Sequence, residues 1–319
     1  MSDARTEVHV CVALEPEAQR EAQTELDKAG LSPIFLTSVT ALSQHLTAIE
    51  YLLLGRPPRL DFTPAARLRL LQIAGSGVDP LFPALGLRSE VAIANCRGAH
   101  ADGVRDHALA LLLATARDLP RAFTQQGRRE WRPFPSEPLA GQRLLLLGYG
   151  AVGSRVARSA AAFGLRVSAV RHSARPEPEL EHTYAPEELI EAARHADYLL
   201  VCVPLTSKTR GMVNARVIAA LPRHAALIDV SRGGVVDAAA LAAALAAGKL
   251  RSAACDVFAE EPLPAASPLW SAPRLIVTPH VAGFEPRYFT AVFASFAENV
   301  RRVQRGEAPL ESVSRELEY

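Results

Sequence analysis

Three side chains in the second half of the chain have the chemical types needed to bind an anionic substrate and move a proton. Arg232 lies in VSRGG, Glu261 in DVFAEEP and His280 in TPHVAG, and each follows an apolar run that predicts a buried strand. An imidazole can donate or accept a proton near neutral pH. A carboxylate bonded to the imidazole would orient it, and an arginine offers a planar fork to a substrate carboxylate. Together these groups could support reduction of a keto acid, with Arg232 also polarising the keto oxygen.

A glycine-rich segment, GYGAVG, precedes the three side chains. Gly148, Gly150 and Gly153 follow an apolar strand-like run and precede a helical pattern, which is the setting of a dinucleotide-binding turn. Glycines there permit a tight turn, approach of the backbone to a pyrophosphate and close packing of helix on strand. The segment therefore predicts a nicotinamide dinucleotide cofactor, and an ordinary glycine-rich turn is the alternative.

The residues after the next strand bear on the choice between NAD and NADP. A carboxylate at this position would accept hydrogen bonds from the ribose hydroxyls and repel a 2′-phosphate. This chain has Arg171 instead, followed by His172 and Ser173, and no acidic residue occurs before Glu177. Because arginine matches the geometry of phosphate, we expect NADP(H) to be preferred, with NAD(H) accepted. A solvated arginine-rich turn that tolerates both cofactors is the alternative.

Taken singly, each of the three candidate catalytic residues also has an ordinary structural explanation. Arg232 could form a surface ion pair, Glu261 could be a solvated residue before Pro262, and His280 could belong to a capped turn. Their common position after strands, downstream of the glycine turn, favours the catalytic interpretation.

Composition narrows the classes of function. The 319 residues suffice for two domains, and 35 basic residues among 34 acidic ones give a net charge of +1. The charges form no basic stripe, which argues against a nucleic-acid partner. No apolar run reaches the roughly 20 residues of a membrane helix, and the N-terminus lacks the features of a secretory signal. The four cysteines have no metal-ligand spacing, so we expect no metal and a cytoplasmic, reduced protein.

Strand and helix patterns alternate, which predicts an α/β protein with parallel sheets. Strands are expected at residues 8–14, 34–36, 51–54, 70–74, 91–94, 144–147, 166–170, 198–203, 226–230, 253–257 and 275–277. Helices are expected at residues 102–118, after the glycine turn with Val152, Val156, Ala160 and Phe163 on one face, and at residues 287–305. The segment 121–142 is predicted to be an irregular, exposed arm. Because the last helix should pack on the first unit, we expect domains at residues 1–98 plus 285–319 and at residues 99–284.

The chain resembles the D-isomer-specific 2-hydroxyacid dehydrogenases, in the group with glyoxylate/hydroxypyruvate reductases and phosphoglycerate dehydrogenase. The resemblance runs through AGSGVD, RGAHADGVRDHALALLLA, GYGAVG, VPLTSKTRGMVN, DVSRGGVVD, DVFAEEPLP and TPHVAG. It implies two doubly wound parallel-sheet domains, Rossmann-like and flavodoxin-like, with the active site in the cleft between them. It also implies a homodimer formed through the arm after the long helix.

The resemblance assigns roles to further residues. Ser76 and Gly77 would offer backbone N–H groups to the substrate carboxylate, and Gly55 with Arg56 would help to form the side-chain pocket. Asp256 would hold the nicotinamide carboxamide. The remaining cofactor contacts implied are Ala151 and Val152 under the pyrophosphate and Val203, Pro204, Val230, Ser231 and Gly283 along the dinucleotide.

Three features depart from the family pattern or limit it. Arg171 stands where NAD-specific members have an acid. Val104–His107 reads Val-Arg-Asp-His in place of a Val-Ala-Glu-His-like run, and we interpret Asp106 and His107 as structural helix residues. Glu261 stands where the family's formate dehydrogenases carry Gln, which argues against formate.

The leading hypothesis is reduction of glyoxylate, hydroxypyruvate, pyruvate or a similar 2-keto acid to the D-2-hydroxy acid. A dinucleotide-sensing corepressor or scaffold of the same fold is an alternative, although the balanced charge and short flanks disfavour it. A dehydrogenase of an inorganic donor such as phosphite would use the same arginine and histidine. The sequence leaves the keto acid and the physiological direction open.

Overall fold

The computed structural model describes residues 5–55, 58, 60–81, 86–173, 175–285 and 288–319. It divides the chain into two compact units, residues 1–100 with 285–319 (unit 1) and residues 101–284 (unit 2). The strands are β1 (Thr6–Cys11), β2 (Leu31–Phe35), β3 (Tyr51–Leu54), β4 (Leu70–Ile73), β5 (Ala92–Ala94), β6 (Arg143–Leu147), β7 (Arg166–Val170), β8 (His182–Tyr184), β9 (Tyr198–Val201), β10 (Ala226–Asp229), β11 (Ser252–Cys255) and β12 (Leu275–Val277). The helices are α1 (Pro16–Lys28), α2 (Val39–His45), α3 (Ala101–Ala116), α4 (Leu119–Arg128), α5 (Ala151–Ala162), α6 (Leu189–Arg194), α7 (Ala215–Ala220), α8 (Ala238–Ala246) and α9 (Tyr288–Gln304).

Unit 1 is built on a parallel five-stranded sheet in the order β2-β1-β3-β4-β5. Successive side chains of a strand point to opposite faces, and both faces are buried here. Tyr51 and Leu53 pack with α1 and α9 on one face, while Leu52 and Leu54 pack with α2 on the other. The sheet therefore has helices on both sides.

The last helix, α9, completes unit 1 although it lies far along the chain. Its buried residues Val292, Phe293 and Phe296 join the same apolar cluster as Ala22 and Leu26 of α1. Unit 1 is consequently discontinuous in sequence. The first predicted residue of this helix, Arg287, lies outside the described residues.

Unit 2 contains a parallel seven-stranded sheet in the order β12-β11-β10-β9-β6-β7-β8. The chain starts at β6, proceeds outward through β7 and β8, and then returns to β9 on the other side of β6. The order thus reverses between β6 and β9, and ligands of open α/β sheets bind at the carboxyl edge of such a reversal.

Helices cover both faces of this second sheet. The cluster on one face joins α3 and α5 through Val104, Ala108, Val156 and Ala160. The opposite face packs against α6, α7 and α8. These features confirm the predicted fold class of two doubly wound parallel α/β sheets.

Several predicted element ends were wrong. The paired parts of β9, β10 and β11 stop before the predicted residues 203, 230 and 257. Val230 and Val257 are nevertheless buried, because the chain stays covered after it leaves the sheet. Apolar character reports burial, so it extends past the paired residues. The predicted bounds at residues 36, 74 and 91 were displaced in the same way, since Leu36, Ala74 and Val91 are buried outside the paired strands. β1 (predicted 8–14) and β2 (predicted 34–36) instead begin earlier than expected, because polar residues and Pro33 are paired there. α2 and β8 were not predicted.

The segment after α3 also differs from the prediction. α3 ends at Ala116, and Asp118 takes a left-handed conformation with φ of 49° before α4 begins. Pro120 lies in the first turn of α4, where its missing N–H costs nothing, but it could not continue α3. Part of the predicted irregular arm is therefore helical. Most of the arm is exposed as expected, since α4 buries no residue and Trp131 is 94% exposed, but Leu139 near its end packs into the core of unit 2.

Phe163 is a smaller correction. It was expected on the buried face of α5, but it follows the helix and is 44% exposed. Gly153 and Ala157 are buried on that face, so small residues bring α5 close to its neighbours.

Candidate active site

The glycine turn connects β6 to α5 through backbone geometry that requires glycine. Gly148 has a φ of +106°, and a Cβ there would lie 2.9 Å from Val203 Cγ1. A Cβ on Gly153 would lie 2.3 Å from the Gly148 carbonyl oxygen. A Cβ on Gly150, by contrast, would have no neighbouring atom within 4 Å and would face open space. The turn is packed tightly on its inner side and open at Gly150.

The N-terminus of α5 lies at this open side. Gly150 is the N-cap and provides no side-chain hydrogen bond, and the first helical bond runs from Ser154 N to Gly150 O. The preceding N–H groups, which include those of Ala151 and Val152, are the donors that a helix leaves without intrahelical partners. Such a terminus favours an anion, so the turn fits the pyrophosphate of a dinucleotide.

Other predicted cofactor residues follow strands of the same edge. Val203 and Pro204 come after β9, the neighbour of β6, and Val230 and Ser231 come directly after β10. Ser231 is buried and donates from both its N and its Oγ to Asp229 Oδ1, at 3.0 and 2.5 Å. Burial raises the pKa of Asp229 to about 7, against the lowering effect of the Ser231 hydrogen bonds.

Arg171, His172 and Ser173 follow β7, as predicted. His172 and Ser173 are exposed, whereas Arg171 is partly buried. The Arg171 Nη1 lies 2.5 Å from Glu177 Oε1, and its guanidinium carbon lies 5.3 Å from the centre of the Tyr149 ring. The arginine is thus held between the glycine turn and the loop after β7, a contact that the sequence alone did not indicate.

His280 and Glu261 are directly paired. His280 Nδ1 lies 2.7 Å from Glu261 Oε2, and Glu261 Oε1 accepts a hydrogen bond of 2.9 Å from Phe258 N. His280 has a φ of 53°, and its N–H donates to Asp256 O at 2.9 Å. Among the described residues, the other ring nitrogen, Nε2, has no hydrogen-bond partner. The imidazole, 41% exposed, is therefore oriented through Nδ1 and can exchange a proton through Nε2.

Arg232 follows β10 on a loop packed closely against the loop that carries Glu261. A Cβ on Gly233 would lie 1.9 Å from Phe258 O, so only glycine allows this approach. Arg232 Nη1 donates to Ser231 O at 2.8 Å. Since β10, β11 and β12 are adjacent parallel strands, Arg232, Glu261 and His280 all follow strand ends at one edge of one sheet.

Asp256 is fully buried behind His280 and has several donors. Its carboxylate accepts hydrogen bonds from Thr278 Oγ1 at 2.6 Å and from the N–H groups of Val281 and Ala282 at 3.0 Å each. His107 Nε2 lies 3.4 Å from Asp256 Oδ1 and 3.1 Å from Thr278 Oγ1. Burial opposes ionisation, but these donors outweigh it, so the pKa of Asp256 lies below its ordinary value. Gly283 follows directly on this segment.

His107 and Thr278 were missed as members of this site. His107 was expected to be a satisfied helix residue, which it is, but its partners connect α3 to the Asp256 carboxylate. Asp106, by comparison, is exposed and pairs with Arg105. A helix position opposite a distant strand end carries no local signal, so the sequence could not indicate this contact.

The predicted substrate residues Gly55, Ser76 and Gly77 belong to unit 1. Gly55 follows β3, and Ser76 and Gly77 follow the neighbouring strand β4. The Ser76 carbonyl accepts a hydrogen bond of 2.9 Å from Asn95 Nδ2. These residues share the carboxyl edge of the unit 1 sheet. Arg56 lies outside the described residues.

Potential metal ligands are dispersed in the part of the chain that the structure describes. Within those ranges, no three His, Cys, Asp or Glu side chains come together in a way that could hold an ion. No helix in the same ranges is long and apolar enough to cross a membrane.

Comparisons with known proteins identify the family. The family model described as D-isomer specific 2-hydroxyacid dehydrogenase, NAD binding domain, matches residues 109–282. A glyoxylate reductase from Pyrococcus furiosus is 33% identical over 293 residues, which cover 86% of this chain and 85% of the reductase. A D-3-phosphoglycerate dehydrogenase from Methanocaldococcus jannaschii is 32% identical over 248 residues, 76% of this chain, and the match spans only 47% of that longer enzyme.

Two solved structures are similar over nearly the whole chain. A D-isomer specific 2-hydroxyacid dehydrogenase from Xanthobacter autotrophicus Py2, in complex with NADPH and MES, has a TM-score of 0.86 and 29% identity, covering 97% of this chain and 100% of that one. An NADPH-dependent glyoxylate/hydroxypyruvate reductase from Sinorhizobium meliloti, in complex with NADP and sulfate, has a TM-score of 0.87 and 27% identity, covering 98% and 100%.

These matches, with the dinucleotide-binding fold of unit 2, define the class of the protein as a nicotinamide-dinucleotide oxidoreductase. The chain belongs to the D-isomer-specific 2-hydroxyacid dehydrogenase family. It is an NAD(P)-dependent enzyme, as the sequence predicted.

Proposed function

We propose that the protein reduces a small 2-keto acid, of the glyoxylate or hydroxypyruvate class, to the D-2-hydroxy acid. The pairing of His280 Nδ1 with Glu261 Oε2 at 2.7 Å carries this proposal, because it orients a proton donor next to the Arg232 loop. The glyoxylate reductase relative and the glyoxylate/hydroxypyruvate reductase structure support the substrate class.

In this proposal, a nicotinamide dinucleotide held at the glycine turn would supply the hydride for the keto carbon. His280 donates the proton from Nε2 to the oxygen, where negative charge develops. Glu261 keeps the ring in place through its hydrogen bond with Nδ1. Arg232 binds the substrate carboxylate in a bidentate manner and polarises the keto oxygen. Ser76 and Gly77 provide backbone N–H groups to the same carboxylate, and Gly55 contributes to the side-chain pocket.

The cofactor assignment follows the same edge of the unit 2 sheet. Gly148, Gly150, Ala151, Val152 and Gly153 would hold the pyrophosphate at the N-terminus of α5. Asp256 would bind the nicotinamide carboxamide, with its position set by Thr278 and His107. The other residues proposed to contact the cofactor are Val203, Pro204, Val230, Ser231 and Gly283.

We further propose that NADP(H) is preferred over NAD(H), with Arg171, His172 and Ser173 at the 2′-phosphate. The cation at the end of β7 supports this preference, as do the NADPH and NADP complexes of the two similar structures. A homodimer and a cytoplasmic location complete the proposal. The exposed arm supports the first, and the four free cysteines support the second.

The decisive experiment is a substrate screen with purified protein. NADPH oxidation should occur with glyoxylate, hydroxypyruvate or pyruvate, and product chirality should be D where the product is chiral. If the protein oxidises phosphite with NADP and reduces no keto acid, the proposed substrate class is wrong and the inorganic donor is favoured. Binding of dinucleotide with no turnover of any keto acid would favour the corepressor or scaffold alternative.

A further inference from the structure

The guanidinium of Arg171 already has an anionic partner within its own loop. Its Nη1 lies 2.5 Å from Glu177 Oε1, and the two side chains are only 20% and 31% exposed. An ion pair of this distance and burial is stronger than a pair on an open surface, because water screens it less. The residue expected to bind the 2′-phosphate is therefore engaged by a carboxylate that the protein itself supplies.

The position of the guanidinium is fixed from a second side. Its carbon lies 5.3 Å from the centre of the Tyr149 ring, and Tyr149 stands between Gly148 and Gly150 of the glycine turn. The Tyr149 hydroxyl donates to Glu179 Oε2 at 3.2 Å. Burial, with the nearby Glu179 carboxylate, raises the pKa of Tyr149 to about 12, so the phenol remains a donor at neutral pH.

The loop after β7 thus brings two carboxylates to the cofactor side of the sheet. Glu179 fixes Tyr149, and Glu177 binds Arg171 directly. A phosphate that binds Arg171 through Nη1 would meet the Glu177 carboxylate at the same nitrogen. Two anions that share one cation repel each other, so the phosphate must displace Glu177 or bind more weakly beside it.

We propose that Glu177 is a second determinant of cofactor choice, an internal carboxylate that competes with the 2′-phosphate for Arg171. This inference rests on the proposed role of Arg171 in cofactor binding. Glu177 lowers the affinity for NADP(H) and leaves the affinity for NAD(H) unchanged, so it moderates the preference that Arg171 creates. The ratio of the affinities for NADP(H) and NAD(H) is then set by the Arg171–Glu177 ion pair and not by Arg171 alone.

The test measures binding of the adenosine half of the cofactor without turnover. Adenosine 2′,5′-bisphosphate and AMP are titrated by calorimetry into the unmutated protein, Glu177→Gln, Arg171→Ala and Glu181→Gln. Glu181 is a matched control, because it loses the same charge but pairs with Arg166 at the opposite end of β7.

We expect Glu177→Gln to tighten binding of the bisphosphate by about twofold to fivefold, which corresponds to the free energy of a solvent-screened ion pair. AMP binding should not change in this variant, which also shows that the site is intact. Glu181→Gln should leave both ligands unaffected, and Arg171→Ala should weaken only the bisphosphate.

Different results overturn different statements. If Glu177→Gln leaves the bisphosphate affinity unchanged while Arg171→Ala weakens it, Glu177 does not compete and the proposed role of Arg171 stands. If Glu181→Gln tightens the bisphosphate as much as Glu177→Gln does, the effect is one of net charge and the competition is refuted. If Arg171→Ala has no effect on either ligand, both the role of Arg171 and the competition are wrong.

Discussion

At the scale of single residues, His280 is held by its backbone as well as by its ring. Its positive φ of 53° is unusual for a residue with a side chain, and such a conformation costs on the order of 1–3 kcal/mol. The hydrogen bond from its N–H to Asp256 O and the contact with Glu261 stabilise it. Strain maintained in this way accords with a ring whose direction matters for function.

Replacing His280 tests the proposed proton donor. His280→Gln should lower kcat by about 10²–10⁴-fold, because general acid catalysis contributes that much. NADPH binding should be retained, since the pyrophosphate contacts the glycine turn. Steady-state kinetics with the best keto acid and a fluorescence titration with NADPH measure the two effects. A variant with near wild-type kcat would refute the role of His280.

Arg232 should not tolerate replacement by lysine. An ammonium is a point charge and cannot reproduce the bidentate geometry, so Arg232→Lys should reduce kcat/KM by about 10²–10³-fold, the usual cost of losing such a stabilising group. The matched control is Arg194→Lys, which changes an exposed arginine at the end of α6 and should leave kcat/KM unchanged. If KM for the keto acid barely rises and kcat survives, Arg232 does not anchor the carboxylate.

Arg171 is the residue on which the cofactor preference should depend. Arg171→Asp removes a charge-assisted contact that contributes about 1.5–3 kcal/mol. The affinity for NADPH should therefore fall by roughly one to two orders of magnitude. The new carboxylate should accept the ribose hydroxyls, so the ratio of kcat/KM for the two cofactors should invert. Arg175→Asp, with the same charge change at an exposed side chain, should shift the ratio much less. An unmutated enzyme that already favours NADH would contradict the prediction.

At the scale of elements, the carboxyl ends of β10 and β11 determine how the loops that carry Arg232 and Glu261 meet. Gly233 approaches the Phe258 carbonyl so closely that no side chain fits between them. Beneath this contact, Asp229 at the end of β10 and Cys255 at the end of β11 border a small cavity with Gly233, Phe258 and other residues. A buried carboxyl group therefore lies under the loop that carries Arg232.

Asp229 makes stability depend on pH in a direction opposite to that of most carboxylates. Its pKa is raised to about 7 in the folded protein, from an ordinary value of 3.8. Between these values the unfolded chain has released the proton and the folded protein retains it, so stability falls as pH rises through this window and is constant above it. The expected change is on the order of 4 kcal/mol, since one pKa unit corresponds to about 1.36 kcal/mol.

Asp229→Asn removes this dependence while keeping an acceptor for Ser231. The variant should therefore gain stability relative to the unmutated protein as pH rises from about 4 to about 7. Denaturant unfolding at pH 4.5, 6 and 8 measures the difference. A difference that is independent of pH would show that Asp229 ionises normally in the folded state.

At the scale of the whole molecule, unit 1 combines two separate segments of this sequence, residues 1–100 and 285–319, whereas unit 2 is continuous. α9 supplies Phe293 and Phe296 to the cluster that also contains the α1 residues, so the unit 1 core is complete only when the last helix is made. The arm after α3 is the contrasting feature, since α4 contributes nothing to either core.

The arm is the basis for predicting a homodimer. α4 buries no residue, Phe123 is 64% exposed, and Trp131 is 94% exposed, which excludes packing of Trp131 against its own unit. Exposed aromatic side chains of this kind are enriched at protein interfaces. Light scattering at micromolar concentration should give the mass of a dimer, and Trp131→Ala with Phe123→Ser should weaken it. A monomeric unmutated protein would contradict the prediction, whatever Trp131 contacts.

The sequence by itself determined the alternation of strands and helices, the glycine turn and the placing of Arg232, Glu261 and His280 after strands. These features are local, because period, turn chemistry and glycine geometry are written in neighbouring residues. It did not determine where pairing ends, since apolar residues such as Val230 stay buried beyond the strand.

Only the tertiary structure decided which groups, distant in sequence, form hydrogen bonds and ion pairs with each other, and which are buried. His107 meets Asp256 and Thr278 across the sheet edge, and Arg171 is bound by Glu177 and lies over the Tyr149 ring. Asp229 is buried deeply enough for its pKa to rise to about 7. Electrostatic interactions depend on distance and on exclusion of water, and both arise only when the chain has folded. The residue type limits the chemistry that a side chain can perform, and its neighbours in the folded protein decide which hydrogen bonds and charges it has.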